Sequence, residues 1–503
     1  MEGPAAQAED RPESNAPALS EGSGVPSGPD AATAGRDATL QVIARAVNLG
    51  LGVLVTAMIA RTLGTEGYGE WATLLAAVGL IGYLATFGLE SVAIREAARD
   101  REAEHEWLGA IILARLYMIV PAAALTALAV TLLSHGHEML VAGLILVLLT
   151  PFNGFNVVQL VFQLRVDNRV PMLVLTLRSV LWALFVLYVF LTQGTLVELA
   201  IGLAATTAIG ALVLVLAARR AAPRALRPSR KQLSRLLKDG IPVGIAGIFV
   251  IVYARVDQLL VYQLRGGHQA GLYGSVYGIL EQAQFVPISI ITAIGPVLAA
   301  SWPGNRDRLV HAAVASAEAL AIISFGALAF ATVAAEPLVR LVFGPGFSQA
   351  APALPVLGAA MVFIGFNYIS DNLIVVTGRQ RVRIVISTVA LIVNVAGNLI
   401  LIPAVGFMGA AWMTFGTEVV VFVGGLWIVM AVLKLSRPPS GRLGRTLCCA
   451  LLLGALLALV QSLGGSLLAL ALTAAAAYPA LLFGLRAATP AELRALLGRR
   501  VSL

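Results

Sequence analysis

From about residue 39 to residue 485 the chain alternates long apolar runs with short polar breaks that carry glycine, proline or arginine. A run of roughly 20 apolar residues is long enough to cross a bilayer as a helix. Fourteen such helices are predicted, at about 39–63, 68–92, 108–134, 139–164, 171–192, 195–218, 239–264, 272–300, 309–334, 351–377, 384–404, 408–433, 446–464 and 466–485. The breaks Thr192–Thr195, Pro403–Phe407 and Gly464–Gly465 are so short that the helices on either side must run antiparallel. The pattern is that of an all-α polytopic membrane protein.

Composition agrees. Of 503 residues 58% are apolar and only 12% charged, with a mean hydropathy of +0.87; soluble domains carry roughly 25% charged residues, so a set of soluble domains is excluded. The two cysteines are adjacent, Cys448 and Cys449, inside an apolar run, which excludes a disulfide framework and a cysteine zinc site. Residues 1–37 are rich in Ala, Pro, Gly and Ser and have no apolar run, so they are predicted to be a disordered tail. They lack the basic and apolar regions of a signal peptide.

The distribution of positive charge tests the helix count. With the N-terminus in the cytoplasm, the even-to-odd connections and the two tails hold 28 of the 35 Lys and Arg residues, the odd-to-even connections only Arg61, Arg265 and Arg340. A wrong count would scramble that asymmetry. The expectation is a protein of the inner (cytoplasmic) membrane with both termini cytoplasmic.

The two halves carry a parallel repeat. Leu63-Gly-Thr-Glu-Gly-Tyr-Gly69 after span one matches Leu264-Arg-Gly-Gly-His-Gln-Ala-Gly-Leu-Tyr-Gly274 after span seven, and Gly154-Phe-Asn156 matches Gly365-Phe-Asn367. Six spans separate the copies, so both halves have the same orientation, related by an axis along the membrane normal. The predicted organisation is a cytoplasmic tail (1–37), a six-helix bundle (38–218), a basic linker (219–238), a second six-helix bundle (239–434) and two extra helices with a tail (435–503). The linker serves as an orientation signal and as a segment attracted to anionic headgroups.

These residues resemble the polysaccharide-biosynthesis (oligosaccharide) flippases of the superfamily that includes the multidrug-and-toxin extruders (MATE) and the lipid II flippases. The resemblance rests on Arg61–Gly69, Phe87–Arg99, Tyr253-Ala-Arg-Val-Asp257 leading to Gly271–Gly274 and Glu281, Leu341–Gly344, and Asn394 to Asn398 before Leu401–Pro403 and Gly409–Trp412. It spans roughly residues 40–435. It implies a MATE-like fold of two six-helix bundles around a central cavity, alternating access, and a polyprenyl-pyrophosphate oligosaccharide as the substrate. By the same analogy the two extra helices would help to hold the lipid tail.

An ionisable residue inside a membrane costs at least about 2.5 kcal/mol, which makes each one a functional candidate. Arg45, Arg115 and Arg178 lie at one depth in spans one, three and five. Either they snorkel to the inner interface, or they line the inward mouth and hold a pyrophosphate through the planar guanidinium fork. In the second half, Arg255, Asp257, Glu281 and Glu418 lie at a shared depth. Arg255 is placed to pair with Glu281 across the short connection. Asp257, two residues on, points elsewhere. Asp257, Glu281 and Glu418 are the candidates for coupling a proton or a sodium ion, a neutralised structural pair being the alternative. Glu318 has no evident partner, and Asp371 is expected among headgroups. Asn156, Asn367, Asn394 and Asn398 suit either sugar hydroxyls or interhelical hydrogen bonds. His135 and His137 lack a third ligand for a metal.

No Gly-x-x-x-x-Gly-Lys-Ser/Thr loop or His-Glu-x-x-His motif occurs. An ATP-driven transporter in one chain is thereby disfavoured, and what the resemblance implies is a transporter and not an enzyme, without a cofactor, flipping a lipid-linked oligosaccharide to the outer leaflet, with glycan polymerase machinery as a candidate partner. The alternatives are a cation-coupled drug antiporter, whose cationic substrates the first-half arginines would repel, and a membrane polymerase or glycosyltransferase, for which no connection is long enough to carry catalytic carboxylates.

Overall fold

The computed structural model describes residues 29–86, 88–100, 102–164, 169–221, 229–435 and 442–488, with side chains from residue 50 onward apart from a few positions. Most of the predicted tail at residues 1–37 and part of the linker lie outside the described residues. The chain divides into two units, Met1–Val47 and Asn48–Leu503, and the membrane bundle is the second.

Among the described residues every regular element is a helix: α1 (Pro29–Thr86), α2 (Leu89–Arg99), α3 (Glu104–Leu133), α4 (His137–Leu146), α5 (Leu149–Gly154), α6 (Leu160–Leu164), α7 (Arg169–Thr192), α8 (Leu196–Ala221), α9 (Leu233–Ala283), α10 (Phe285–Ser301), α11 (Arg306–Val333), α12 (Ala335–Phe343), α13 (Ala353–Val376), α14 (Gln380–Val405), α15 (Phe407–Val432), α16 (Leu443–Ser462) and α17 (Leu467–Gly484). Short 3₁₀ turns lie at Phe155–Gln159 and Pro345–Ala350. Eleven helical stretches among the described residues are long and apolar enough to cross a membrane, so this is a multi-pass membrane protein.

The predicted fourteen is an approximate count. One of the eleven stretches, Gly247–Ser301, runs for 55 residues, which at 1.5 Å per residue is more than two bilayer thicknesses. It folds back at Gly266, where φ is 79°. Behind that turn Tyr277 donates to the Ala254 carbonyl (2.8 Å) and Gln258 to the Ala270 carbonyl (3.2 Å). α1 has the same break at Gly64, with φ 67°. Only glycine enters that backbone region without strain, so the two copies of the repeat share their turn.

The other repeated tripeptide diverges in shape. Gly365-Phe-Asn367 sits in the regular helix α13, whereas Gly154-Phe-Asn156 lies where span four is broken into α4, a turn at residues 147–148, α5 and the 3₁₀ segment. Pro151 explains the first break, because it lacks an N–H and its ring clashes with the carbonyl four residues earlier, Val147.

The largest buried cluster joins both halves at the end of the molecule that carries Gly64 and Gly266, through Val55, Trp71, Val261, Tyr273, Phe343 and Ile402 among others. At the opposite, arginine-rich end each half has its own cluster, around Trp107 and Ile111 in the first and around Leu309 and Leu373 in the second. α16 and α17 pack on α11, burying Cys449, Leu453, Leu457 and Leu470. Tyr478 of α17 lies over Gly326 and donates to the Ile322 carbonyl (2.6 Å).

Candidate functional site

α1 and α9 face one another across the molecule and enclose a central cavity of about 150 Å³, lined by Thr56, Trp71, Ala72, Arg255, Asp257, Gln258, Tyr273 and Glu281. Its end near the glycine turns is shut by direct backbone contact. A Cβ at Gly69 would overlap the carbonyl oxygen of Gly267, and one at Gly271 would overlap that of Thr65. Thr65 also bonds His268 (2.8 Å), and Tyr68 packs edge-on to Phe347 with ring centres 5.8 Å apart. Arg61 of the first half donates to the carbonyls of Leu341 and Val342 in the second. At the basic end α9 and the residues just before it close by side-chain contact on α1, α2 and α3. Tyr83 meets Gly247, and Leu89 meets Gly240. Lys231 pairs with Glu106 (2.5 Å) and Arg235 with Glu96 (3.7 Å). Both ends of the cavity are therefore closed in this structure.

In the first half the arginines separate by environment. Arg115 is 3% exposed and pairs with Glu90 of α2 at 2.6 Å. Arg178 is half-buried, with its stem over Gly210 of α8, and among the described residues it has no hydrogen-bond or ion-pair partner. The exposed apolar residues of α7 are Leu173, Leu175, Leu177, Val180, Leu184, Leu187, Tyr188 and Leu191, and all but Leu175 lie within about 60° of Leu173. At 100° per residue Arg178 and Trp182 lie about 140–180° round the helix from Leu173. Trp182 stacks on Trp71 of the cavity wall at 6.2 Å. Arg178 therefore lies away from most of those exposed residues and one turn from Trp182, although it does not itself line the central cavity. The side chains of Arg45 and Asn156 lie outside the described residues.

In the second half Arg255 and Glu281 pair at 2.6 Å, the geometry that the short connection implies. Asp257, 2% exposed, turns away into a second cavity of about 160 Å³ between α9, α13, α14 and α15. There its Oδ2 accepts from Tyr273 (2.8 Å) and Thr414 (3.0 Å). Asn367 donates to the carboxylate of Glu418 (2.8 Å) and to its carbonyl (3.1 Å). Asn398 donates to Asn394, which donates to Thr417 (3.0 and 3.2 Å). Among the described residues, Asp257 Oδ1, Asn367 Oδ1 and Asn398 Oδ1 are buried without a donor. Oxygens lacking donors beside buried carboxylates are the chemistry that holds a proton or a hard cation.

Asp371 lies in this cavity's wall, ion-paired with Arg383, and not among headgroups. Glu318 accepts the Arg442 N–H (2.8 Å) and so caps the start of α16. His135 stacks on Tyr262 at 5.3 Å. No group of three or more His, Cys, Asp or Glu residues suited to a metal ion occurs among the described residues. Tyr273 and Thr414 do not stand out in the sequence because hydroxyls are common in apolar helices. Only Tyr273's place in the repeat, Leu272-Tyr-Gly274, marks it.

A lipid II flippase, MurJ, in an inward closed conformation has a similar structure, with a TM-score of 0.73 over 89% of this chain and 99% of that one at 13% identity. An inward-facing multidrug resistance MATE family transporter of the MOP superfamily follows at 0.60, over 78% and 99%, with 15% identity. At these identities the likeness is one of fold: the chain has the MurJ and MATE architecture. An uncharacterised membrane protein of Methanocaldococcus jannaschii is 23% identical over 214 residues, 41% of this chain and 41% of that protein, so the match spans less than half of that relative's length. The family model described as polysaccharide biosynthesis protein matches residues 34–302. That match covers more than half of the 503 residues, and the chain belongs to the polysaccharide biosynthesis protein family.

Proposed function

We propose that this protein flips a lipid-linked oligosaccharide of the polyprenyl-pyrophosphate type from the cytoplasmic to the outer leaflet, by alternating access coupled to a proton or sodium gradient. The basic end of the helices is the cytoplasmic one on this reading, by the rule that Lys and Arg stay inside, and the membrane is the inner one. The observation that carries the proposal is Arg178, a half-buried guanidinium within a membrane helix, on the side of α7 that carries Trp182 and without a protein partner among the described residues. A cation so placed is matched by an anionic headgroup, and its planar fork fits phosphate oxygens. Arg45 and Arg115 are proposed as further contacts, Arg255 as the cation met deeper in the cleft, and Asn156 and Asn367 as partners of sugar hydroxyls, Asn367 as an acceptor through its free Oδ1. Asp257, Glu281 and Glu418 are proposed as the ion-coupling carboxylates. A drug antiporter is disfavoured, since Arg178 would repel cationic substrates.

The test scores lipid-linked glycan on the cytoplasmic leaflet of cells carrying Arg178→Ala, alone and with Arg45→Ala and Arg115→Ala. Accumulation in the single variant, partly relieved by Arg178→Lys, supports the proposal; wild-type export by the triple variant rejects it. For coupling, Asp257→Asn, Glu281→Gln and Glu418→Gln are assayed in vesicles with and without an imposed gradient. Gradient-dependent transport that survives all three substitutions rejects the ion assignment.

A further inference from the structure

The Asp257 cavity and the central cavity share a wall. Asp257, Ala254 and Tyr277 line both, and Tyr273 joins the two functions of that wall. It is fully buried, its hydroxyl donates to Asp257 Oδ2 at 2.8 Å, and Thr414 Oγ1 lies 3.0 Å away. Its backbone belongs to the stretch of α9 that forms the shut end of the cleft. Gly271, two residues before it, crosses the Thr65 carbonyl, and Gly274, next to it, abuts Ala72 of α1 and Gln258. Gln258 in turn donates to Thr73 across the cleft (3.2 Å).

We infer that Tyr273 is a positioning residue that transmits occupancy of Asp257 to the Gly69–Gly271 crossing, and so decides whether the end of the cleft away from the basic face is held shut. The inference rests on the ion-coupled reading of Asp257.

The hydrogen bonds supply the mechanism. With Asp257 ionised and free, Oδ2 accepts from Tyr273 and from Thr414. A cation or proton on the free Oδ1 neutralises the carboxylate and makes Oδ2 a weaker acceptor. Thr414 then has an alternative, since its hydroxyl already lies 3.0 Å from the Ala410 carbonyl. Once Thr414 donates there, its oxygen is open to accept from Tyr273. Tyr273 thus exchanges a bond to α9's first arm for one to α15. The swap moves the second arm of α9 at the very residues that touch α1. The other charged groups lining the two cavities that Asp257 shares are Arg255 and Glu281 on α9, Asp371 on α13, Arg383 on α14 and Glu418 on α15. Tyr277 is fixed by its own bond to the Ala254 carbonyl.

The test is a double-mutant cycle read at the closed end. Thr65→Cys with His268→Cys is built in a chain with Cys448→Ala and Cys449→Ala, and the rate of disulfide formation between positions 65 and 268 is measured in membranes. Asp257→Asn, which mimics the neutralised carboxyl, is expected to change that rate by about tenfold, the scale of a hydrogen bond to a charged group. In a Tyr273→Phe background the same substitution is expected to change it by less than about twofold. Thr414→Val leaves the Tyr273 ring untouched and is expected to give the same loss of response. An Asp257→Asn effect that keeps its full size in both backgrounds overturns the inference. So does an Asp257→Asn variant that has lost gradient-dependent transport without any change at 65–268, and in that outcome the ion-coupled reading stands. Transport that ignores Asp257→Asn strikes the ion-coupled reading itself.

Discussion

Two arginines of the first half illustrate how neighbours set the role of a residue. Arg115 is sealed against Glu90, and removing one partner of such a pair leaves the other uncompensated. Glu90 is 36% exposed, so water relieves part of that charge. Arg115→Ala is expected to cost about 2 kcal/mol, below the roughly 3–5 kcal/mol of fully buried pairs. Arg178 has no such bond to lose, and its stem only crosses Gly210. Arg178→Ala is expected to leave stability within about 0.5 kcal/mol of wild type while stopping glycan export. Thermal unfolding in detergent, run beside the export assay, separates the two: Arg115→Ala lowers the midpoint and Arg178→Ala does not. The opposite ranking would exchange their assignments.

At the scale of elements, α16 and α17 dock on α11 through small residues that admit large ones. A Cβ at Gly326 would stand 2.5 Å from the Tyr478 ring, so Gly326→Val is expected to expel that ring, break its bond to Ile322 and loosen α17 without disturbing α13–α15. Cys449 is a native reporter: it is fully buried beneath α17 and donates to the Leu481 carbonyl, while Cys448 is exposed. In a Cys448→Ala chain, Gly326→Val should raise maleimide labelling of Cys449 at least about tenfold, the equivalent of a 1.4 kcal/mol easier opening. Unchanged protection would mean that the pair does not hold the helix. Helices of this kind are legible in the sequence because an apolar run of bilayer length admits few alternatives, and the glycine turns are legible because both copies print them. Partners are not. Glu90 and Arg115 are 25 residues apart, and Glu318 bonds a backbone N–H 124 residues away, so only packing brings them together. The candidate site is half visible for the same reason. Its carboxylates stand out in an apolar run, whereas the hydroxyls of Tyr273 and Thr414 that hold Asp257 look like ordinary helix residues. Gly154-Phe-Asn156 misleads in the other direction, since the repeat shows in its letters but Pro151 changes its geometry.

Across the whole molecule the two ends of the cleft are closed by different physics. The end with the glycine turns is shut by backbone against backbone and by the Tyr68 contact with Phe343 and Phe347, neither of which depends on ionic strength. The basic end relies in part on Lys231 with Glu106, on Arg235 with Glu96, and on Arg235 over Trp107 at 5.7 Å. The Lys231 and Arg235 side chains are 73% and 64% exposed, so each pair is a weak, screenable surface contact. Salt shortens the screening length from about 8 Å to about 3 Å between roughly 0.15 M and 1 M and should remove most of that attraction. Losing both pairs shifts the balance by about threefold. A cysteine at Gln282, on the wall of the central cavity, in a chain without Cys448 and Cys449, should therefore label about threefold faster from the basic end in high salt, and no faster from the other end. Lys231→Ala with Arg235→Ala should show the high-salt rate already in low salt and respond to salt no further. A double variant that keeps the full salt response would place the latch elsewhere. Equal acceleration from both ends would show that the cleft opens as one body, against the asymmetry that alternating access requires.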